Sequence, residues 1–260
     1  MTEATEGKTA GKNEISTSAT PVSTRDVSTL AWLKGMCCAS IFTFTYILAP
    51  LYVLSSLIFL ICRYPSGNAA AIYALPLIAS ILTPAKGMPG VIGMFRPMLD
   101  YFDFENITED KEILRANLDK GKNYIFATQP HGVISFCGMC SAVHGEPKYR
   151  SIKTAAASSL LKFPILKNVM GIFHLTDASG KNLRKVLQKP GIEGSVVIYI
   201  GGVAELFKSS REEERLFISQ RKGFIKLALR EGVDIVPLYL FGNTSVLNVV
   251  SSKWCKLNVE

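Results

Sequence analysis

Residues 123–132 read NYIFATQPHG, a short apolar run followed at once by a turn. The run 123–128 has the composition of a buried β-strand, and Pro130 and Gly132 enforce a tight loop directly after it. Open α/β sheets place their ligand sites at the carboxyl ends of such strands. The stretch therefore predicts a layered α/β domain with a candidate site in the loop after the strand.

Three further runs have the character of strands: SIKTAAA (151–157), SVVIYI (195–200) and DIVPLYL (234–240). The run 195–200 is apolar on both faces, which is typical of a strand covered by helices on both sides. Residues 177–188 and 221–232 have helical spacing between these runs, and Gly232 is suited to end the second helix. We predict an α/β fold with a mixed sheet flanked by helices.

The N-terminal part of the chain has a different texture. Between Lys34 and Arg63 lie 28 residues without a charge. About 20 apolar residues cross the hydrocarbon core, and this stretch has no polar face, so it predicts a membrane helix rather than a core helix. A second run, 69–82, is about 21 Å long as a helix and contains Pro76, so it either spans with difficulty or re-enters. Basic residues flank both outer ends of the pair, which predicts a cytosolic location for both.

These patterns predict three regions. Residues 1–29 have hardly any large apolar side chain and are expected to be a disordered tail. Residues 30–86 are expected to form a membrane hairpin from the apolar runs 36–62 and 69–82, although Pro50 offers an alternative break within the first run. Residues 87–260 are expected to form one cytosolic α/β domain.

Composition excludes several classes of protein. The 260 residues are 48% hydrophobic with a net charge of +8, and residues 111–230 hold 20 Lys+Arg against 9 Asp+Glu. This excess favours anionic headgroups or a polyanionic cosubstrate, and a solvated basic surface is the alternative. No nucleic-acid motif occurs. The three histidines and six cysteines lack zinc spacing, and the pair Cys137 and Cys140 is expected to be small apolar packing rather than a redox motif.

His131 is the residue placed for chemistry. It lies in the Gln-Pro-His-Gly turn at the end of the first strand, where an imidazole is suited to act as a general base at neutral pH. A histidine in a turn is, however, more often structural. No GxSxG, GxGxxG or GxxxxGK[ST] motif competes with it.

Three separated stretches resemble the type-2 diacylglycerol acyltransferase family: YIFATQPHGVISF (124–136), VVIYIGGVAELF (196–207) and RKGFIKLALREGVDIVPLYLFGN (221–243). Together with RPMLDYF (96–102) and the hydrophobic hairpin, the resemblance covers roughly residues 35–250. It implies a membrane-anchored glycerolipid-acyltransferase-like domain that transfers an acyl group directly from acyl-coenzyme A to a lipid hydroxyl. It implies no metal and no cofactor beyond acyl-coenzyme A as cosubstrate.

The resemblance also assigns site residues. It makes His131 the base that takes the proton of the acceptor hydroxyl. It assigns the other matching positions to substrate binding: Gln129, Pro130 and Gly132 in the turn, Gly201, Gly202 and Glu205 after a second strand, and Arg221, Lys222, Gly223, Phe224 and Lys226 in the basic stretch.

Helical spacing orients that basic stretch. Lys222, Lys226 and Arg230 are four residues apart and are expected on one helix face, while Phe224, Ile225, Ala228 and Leu229 are expected toward the core. The basic face would suit the phosphates of coenzyme A, and a merely solvated face is the alternative.

The chain departs from the family pattern in three places. Gln129 stands where animal members have His and plant members often Glu, and glutamine cannot ionise. The wider superfamily's His-x₄-Asp has no counterpart, since Phe136 occupies that position, and Glu205 is the candidate to orient the imidazole instead. Family members continue beyond residue 260 with further strands, so we expect a C-terminally truncated or divergent, even inactive, form.

The resemblance implies synthesis of triacylglycerol from diacylglycerol and acyl-coenzyme A. Monoacylglycerol or a long-chain alcohol is the alternative acceptor, and an inactive lipid-binding membrane protein is the alternative of another class. The expected location is the endoplasmic reticulum membrane, with the domain in the cytosol and lipid droplets as a further location. The expected partners are acyl-coenzyme A, diacylglycerol and the bilayer, with no nucleic acid; homo-oligomerisation is left open.

Overall fold

A computed structural model of the chain describes residues 27–62, 67–202, 204–205 and 215–247. Residues 1–26, most of the expected disordered tail, lie outside the described residues, and so does the start of the YPSGN turn. The domain is built on a five-stranded sheet whose strands have the order β3-β2-β4-β1-β5. The strands are β1 Tyr124–Gln129, β2 Lys153–Ala156, β3 Leu175–Asp177, β4 Val196–Tyr199 and β5 Asp234–Tyr239.

The α/β architecture is confirmed, but the sheet is not mixed. Every strand pairing in the described part of the chain is parallel: β1 with β4 and β5, and β2 with β3 and β4. The chain segments that connect successive strands include helices, as parallel pairing requires. The strand β3 was not predicted, because Leu-Thr-Asp is only three residues long and contains no apolar run.

Helices cover both faces of the sheet. They are α1 Thr29–Cys62, α2 Gly67–Leu82, α3 Pro89–Ile92, α4 Pro97–Tyr101, α5 Lys111–Asp119, α6 Phe136–His144, α7 Ser158–Lys162, α8 Leu166–Gly171, α9 Gly180–Leu187 and α10 Gly223–Glu231. Three short 3-10 helices lie at Gly93–Phe95, Pro147–Ser151 and Gly191–Gly194.

Alternation along β1 builds a separate core on each face. Ile125 is fully buried on one face in a cluster with Leu183 and Val186 of α9 and Ala228 of α10. Phe126, the next residue, points to the opposite face and packs in a second cluster with Leu118 of α5. The central strand is therefore covered on both sides, as its neighbour 195–200 was predicted to be.

The helix α10 differs from its prediction in orientation. It ends at Gly232, which has a left-handed φ of 65° as expected for a helix stop. Ala228 is buried, but Ile225 is 43% and Leu229 78% exposed, so neither faces the core. Leu227 packs against the core cluster in their place. The prediction of the inward face was wrong: the buried face of α10 is rotated about the helix axis by about one residue from the predicted face.

The helices α1 and α2 lie side by side. α1 has 34 residues and a length of about 51 Å, and α2 has 16 residues and a length of about 24 Å. The Tyr52 hydroxyl donates to the carbonyl of Ile72 at 2.9 Å, and Phe59 packs on Tyr73 with ring centroids 4.5 Å apart. α1 continues through Pro50, so the alternative of a break there is not realised.

The end of α2 is fastened to the domain by polar contacts. The Ser80 hydroxyl donates to Oδ1 of Asn168 at 2.6 Å and accepts the amide of Ile165 at 2.6 Å. The Lys167 ammonium donates to the carbonyl of Ile81 at 3.3 Å. The second helix therefore returns to the side of the domain from which α1 departs.

In the described part of the chain, one helix, α1, is long and apolar enough to cross a membrane. Its most apolar 18-residue window has a mean hydropathy of 2.1, and only 11% of that window is buried. A core helix of this composition would be covered on most of its surface.

The first half of α1 packs tightly on the domain. Phe42 is fully buried, with ring centroids 4.9 Å from Phe95 and 5.4 Å from Phe173. At Gly35 the helix approaches α4 so closely that an added Cβ would stand 2.3 Å from the carbonyl oxygen of Pro97. The seam between α1 and α4 therefore has no room for a side chain at this position.

Replacing Gly35 with Leu should force α1 away from α4. Overpacking of this kind costs roughly 1–3 kcal/mol, so we expect a lower unfolding temperature of the full chain in detergent and faster proteolytic release of α1. Gly67→Ala is the control, because nothing lies within 4 Å of a Cβ added at Gly67. Equal unfolding temperatures for the two variants would contradict this packing.

Candidate functional site

The loop after β1 presents the imidazole of His131. Its Nδ1 lies 2.6 Å from the carbonyl oxygen of Gly132. A carbonyl oxygen only accepts hydrogen bonds, so Nδ1 carries the proton in the neutral ring. The lone pair is therefore on Nε2, the nitrogen from which a general base works. Gly132 has a left-handed φ of 63°, which lets the chain turn sharply enough for this contact.

Glu205 holds the backbone of this loop rather than the imidazole. Its side chain is only 1% exposed, Oε2 accepts the amide of His131 at 2.9 Å and Oε1 accepts the amide of Phe217 at 3.2 Å. Gly201 admits the carboxylate, because a Cβ there would stand 1.9 Å from it. Both described hydrogen bonds of the Glu205 carboxylate go to main-chain amides, so its contact with His131 is through the backbone of the loop and not through the ring.

Asn243 clamps the same loop from the opposite side. It is 1% exposed, and its Nδ2 donates to the carbonyls of Pro130 at 3.0 Å and His131 at 2.9 Å. Its Oδ1 accepts the amide of Cys137 at 3.2 Å. Sequence reasoning did not identify Asn243 as a site residue, although it closes the FGN segment that carries the resemblance.

Tyr199, at the end of β4, lies directly beside His131. The two rings have centroids 5.0 Å apart, and the Tyr199 hydroxyl is 2.6 Å from the Ser135 hydroxyl. Desolvation by burial raises the pKa of Tyr199 to about 12, so the hydroxyl stays protonated at neutral pH. Neither Tyr199 nor Ser135 was predicted, because their partners are 64 residues apart in sequence.

Gln129 precedes His131 by two residues, and Cys137 and Cys140 lie on the helix that follows the loop. The Gln129–Pro130 peptide bond is cis, Pro130 is buried, and Oε1 of Gln129 is buried without a hydrogen-bond partner among the described residues. Cys140 is fully buried, and burial raises the pKa of its thiol to about 12. An unreactive buried thiol agrees with the prediction that this pair is packing.

The predicted basic residues lie elsewhere, on the face of the sheet covered by α9 and α10. Gly223, Phe224 and Lys226 line a groove of 780 Å³ between these helices, with Ile198 of β4 at its floor. Lys222 stands at the N-cap of α10, and the Arg221 guanidinium lies 5.0 Å from the ring centre of Phe217. Gly202 closes the turn before Glu205, whose amide donates to its carbonyl at 3.2 Å.

The groove has a strongly basic lining. The described residues that line it include five basic side chains and no acidic one; the basic residues are Lys181, Arg184, Lys185, Lys226 and Arg230. Glu231, just outside, accepts a hydrogen bond from Arg184 at 2.8 Å. Both helices begin at the carboxyl edge of the sheet, so their N-termini add positive potential at that end of the groove.

The sequence-predicted residues thus fall into two groups. The turn 129–132 meets Gly201 and Glu205 around His131, whereas residues 223–226 belong to the groove. Within the described part of the chain, no group of three or more His, Cys, Asp or Glu side chains is arranged to hold a metal ion.

A model of the diacylglycerol acyltransferase family matches residues 91–257, which include both groups. The chain belongs to this family. It is 32% identical over 163 residues to diacylglycerol O-acyltransferase 2 of Dictyostelium discoideum, covering 60% of this chain and 47% of that relative. It is 29% identical to diacylglycerol O-acyltransferase 2 of Homo sapiens, covering 60% of this chain and 40% of that relative.

A further relative has a different name. The chain is 27% identical over 179 residues to 2-acylglycerol O-acyltransferase 3 of Homo sapiens, covering 64% of this chain and 51% of that relative. The chain therefore spans about half the length of the curated relatives that it matches. No solved structure matches it.

Replacing Asn243 with Ala should loosen the His131 loop. The carbonyls of Pro130 and His131 would lose their buried donor, which costs roughly 1–3 kcal/mol. We expect that loss in the free energy of unfolding, and faster hydrogen exchange of the amides of residues 131–137.

Asn106→Ala is the matched control. The Asn106 side chain is exposed and accepts only the Thr108 hydroxyl, at 2.5 Å. Hydrogen exchange that is equally unaffected in both variants would show that Asn243 does not hold the loop.

Proposed function

We propose that this chain transfers an acyl group from acyl-coenzyme A to the free hydroxyl of diacylglycerol, forming triacylglycerol. The observation that carries the proposal is the hydrogen bond of His131 Nδ1 to the carbonyl of Gly132, because it leaves the Nε2 lone pair available as a base. Membership of the diacylglycerol acyltransferase family supports the same reaction.

The proposed step is a direct transfer. The acceptor hydroxyl oxygen attacks the thioester carbonyl carbon while Nε2 of His131 takes the hydroxyl proton. The tetrahedral intermediate collapses, the carbon–sulfur bond breaks, and the thiolate of coenzyme A takes the proton back from the imidazolium. The products are the ester and free coenzyme A. A positioned base of this kind contributes about 10²–10⁴-fold to the rate.

Gln129 keeps a role that needs no ionisation. Its buried Oε1, two residues before His131 in the chain, has no hydrogen-bond partner among the described residues and can accept a hydrogen bond from the hydroxyl of a bound acceptor lipid. Glutamine would thereby hold the hydroxyl near Nε2, while the proton goes to the imidazole. The family's histidine or glutamate at this position would not be required for the transfer itself.

The basic groove between α9 and α10 is proposed to bind the phosphates of coenzyme A. Five basic side chains without an acidic one among its described lining residues give it the charge for a polyanion. Both helices point their N-termini toward the sheet edge that carries His131, which favours a cosubstrate extending from the groove to the loop.

The helical pair α1 and α2 is proposed to anchor the enzyme in the endoplasmic reticulum membrane with the domain in the cytosol. At about 24 Å, α2 is shorter than the roughly 30 Å hydrocarbon core. Its end is fastened beside the domain through Ser80 and Asn168, which supports a hairpin that enters and leaves on one side. A surface-anchored domain meets its lipid acceptor within the bilayer, and the same hairpin would suit a lipid droplet.

Monoacylglycerol is a second candidate acceptor. It is favoured by the similarity to 2-acylglycerol O-acyltransferase 3, which is nearly as strong as the similarity to the diacylglycerol enzymes. Offering diacylglycerol and monoacylglycerol in separate assays distinguishes the two acceptors.

His131→Ala should abolish acyl transfer while the chain still reaches the membrane. The full chain is expressed in microsomes of a host without its own acyltransferases, with labelled palmitoyl-coenzyme A and either diacylglycerol or monoacylglycerol. We expect triacylglycerol from the unaltered chain and at least about a 100-fold lower rate in the variant.

Lys162→Ala shortens an exposed side chain on α7 and is the control for expression and handling. Product from His131→Ala at the level of this control would remove the histidine from the mechanism. No product from the unaltered chain with either acceptor would refute the acyltransferase proposal for this chain.

Lys226→Glu should weaken binding of acyl-coenzyme A without changing the chemical step. Reversing one charge in the groove should raise the KM for palmitoyl-coenzyme A by about tenfold and leave kcat within about twofold. The variant should also show a weaker dependence of KM on salt concentration. Lys226→Arg keeps the charge and should restore the KM; a KM unchanged by both substitutions would place coenzyme A elsewhere.

A further inference from the structure

A partly open cavity lies on the face of the sheet opposite the basic groove. It has a volume of 240 Å³ and runs between the sheet and the helices α5 and α6. Its floor consists of alternate strand residues: Phe126 and Thr128 of β1, Val197 and Tyr199 of β4, and Val236 and Leu238 of β5. Four of these six side chains are aliphatic or phenyl groups without a polar atom, so the floor suits a hydrocarbon.

The cavity exists because α6 presents small side chains to the sheet. Gly138, Ser141 and Ala142, spaced three and four residues apart, line its roof. Close-packed interiors rarely leave a space of this size, which is about eight times the roughly 30 Å³ of a liquid water. Larger side chains at these positions would fill it.

One end of the cavity adjoins the candidate catalytic histidine. Tyr199 lines the cavity and also has its ring centroid 5.0 Å from that of His131. Gly138 lies over the same tyrosine, since a Cβ there would stand 1.9 Å from the Tyr199 hydroxyl oxygen. Tyr199 therefore stands between His131 and the cavity, and a ligand that extends from Nε2 of His131 into the cavity must pass this side chain.

The remaining lining includes charged side chains. Arg115 and Glu146 form an ion pair at 2.6 Å, and Arg150 donates to the carbonyls of Val143 and Gly145 at 3.1 Å each. Lys111 also lines the cavity and forms no ion pair with another described residue. The reacting end of a ligand belongs at the His131 end because the candidate base lies there.

We propose that this cavity holds the hydrocarbon chain of the acyl donor, with the thioester at His131 and the methyl end toward Ile152. This inference rests on the proposed acyltransferase function and adds the site that would measure the donor chain. The donor brings one chain, which matches a single narrow cavity, whereas diacylglycerol brings two. Tyr199, which packs against Gly138, is the side chain between the candidate base and the proposed chain site.

Photolabelling of the full chain in membranes tests binding without requiring turnover. Palmitoyl-coenzyme A with a diazirine at the methyl end should label the far lining, Tyr149, Ile152 or Leu114. A diazirine near the thioester should label Gly138 or Tyr199 instead. Excess unlabelled palmitoyl-coenzyme A should remove both signals, whereas nonspecific labelling of α1 and α2 should persist.

Ala142→Leu tests chain selection by filling the roof. Each methylene of the donor chain that is kept from burial weakens binding by about fourfold. If the leucine excludes two methylenes of the palmitoyl chain, the ratio of kcat/KM for palmitoyl-coenzyme A to that for octanoyl-coenzyme A should fall by roughly 15-fold. Leu229→Phe is the control, because Leu229 is 78% exposed on α10 and remote from the cavity face. Its ratio should equal that of the unaltered chain.

The outcomes separate this inference from the proposed function. Labelling confined to α1 and α2, or an Ala142→Leu ratio equal to that of Leu229→Phe, would overturn the cavity assignment. Competed labelling of the cavity by a chain that forms no ester would support the assignment and reject the acyltransferase proposal. If Ala142→Leu does not fold, photolabelling of the unaltered chain tests the cavity assignment by itself.

Discussion

The carboxamide of Asn243 joins the loop after β1 to the loop after β5, and the geometry around His131 depends on this contact. It satisfies the carbonyls of Pro130 and His131 with one buried amide group, and it holds the start of α6 through the amide of Cys137. Glu205 fastens the same loop from β4. Three adjacent parallel strands therefore converge on one histidine, because parallel strands bring their carboxyl ends to the same edge.

The parallel sheet also separates two environments that an acyl donor would need. Alternation along β4 directs Ile198 to the basic groove and Tyr199 to the cavity on the opposite face. The two side chains are neighbours in sequence, yet one lines the groove proposed to bind phosphates and the other lines the cavity proposed to hold a hydrocarbon chain. A one-residue shift of register would exchange them, so the pairing of β4 with β1 fixes which face receives each part of a ligand.

Sequence patterns predicted the elements better than their contacts. The strands around 124–129 and 234–239 were predictable from β-rich apolar runs, and His131 from a Pro-Gly turn at a strand end. Asn243 was recognised only as part of a motif, because its partners lie 112 and 113 residues away and side-chain hydrogen bonds leave no periodicity. The mixed sheet was a wrong prediction because strand direction depends on the path of the connections. The outward turn of Ile225 and Leu229 likewise depends on how α10 packs against α9.

The contacts of His131 also bear on the kind of acyl donor that suits the site. In a carboxylate–histidine pair, a full negative charge stabilises the imidazolium as it forms. Here Nδ1 meets the carbonyl of Gly132, and both oxygens of Glu205 accept backbone amides, so the hydrogen-bond partner of the ring is a carbonyl dipole rather than a carboxylate. A thioester tolerates a base with this support, because a thiolate, whose conjugate acid has a pKa of about 8.5, leaves far more readily than an alkoxide. An activated donor therefore fits this histidine better than an ordinary ester does.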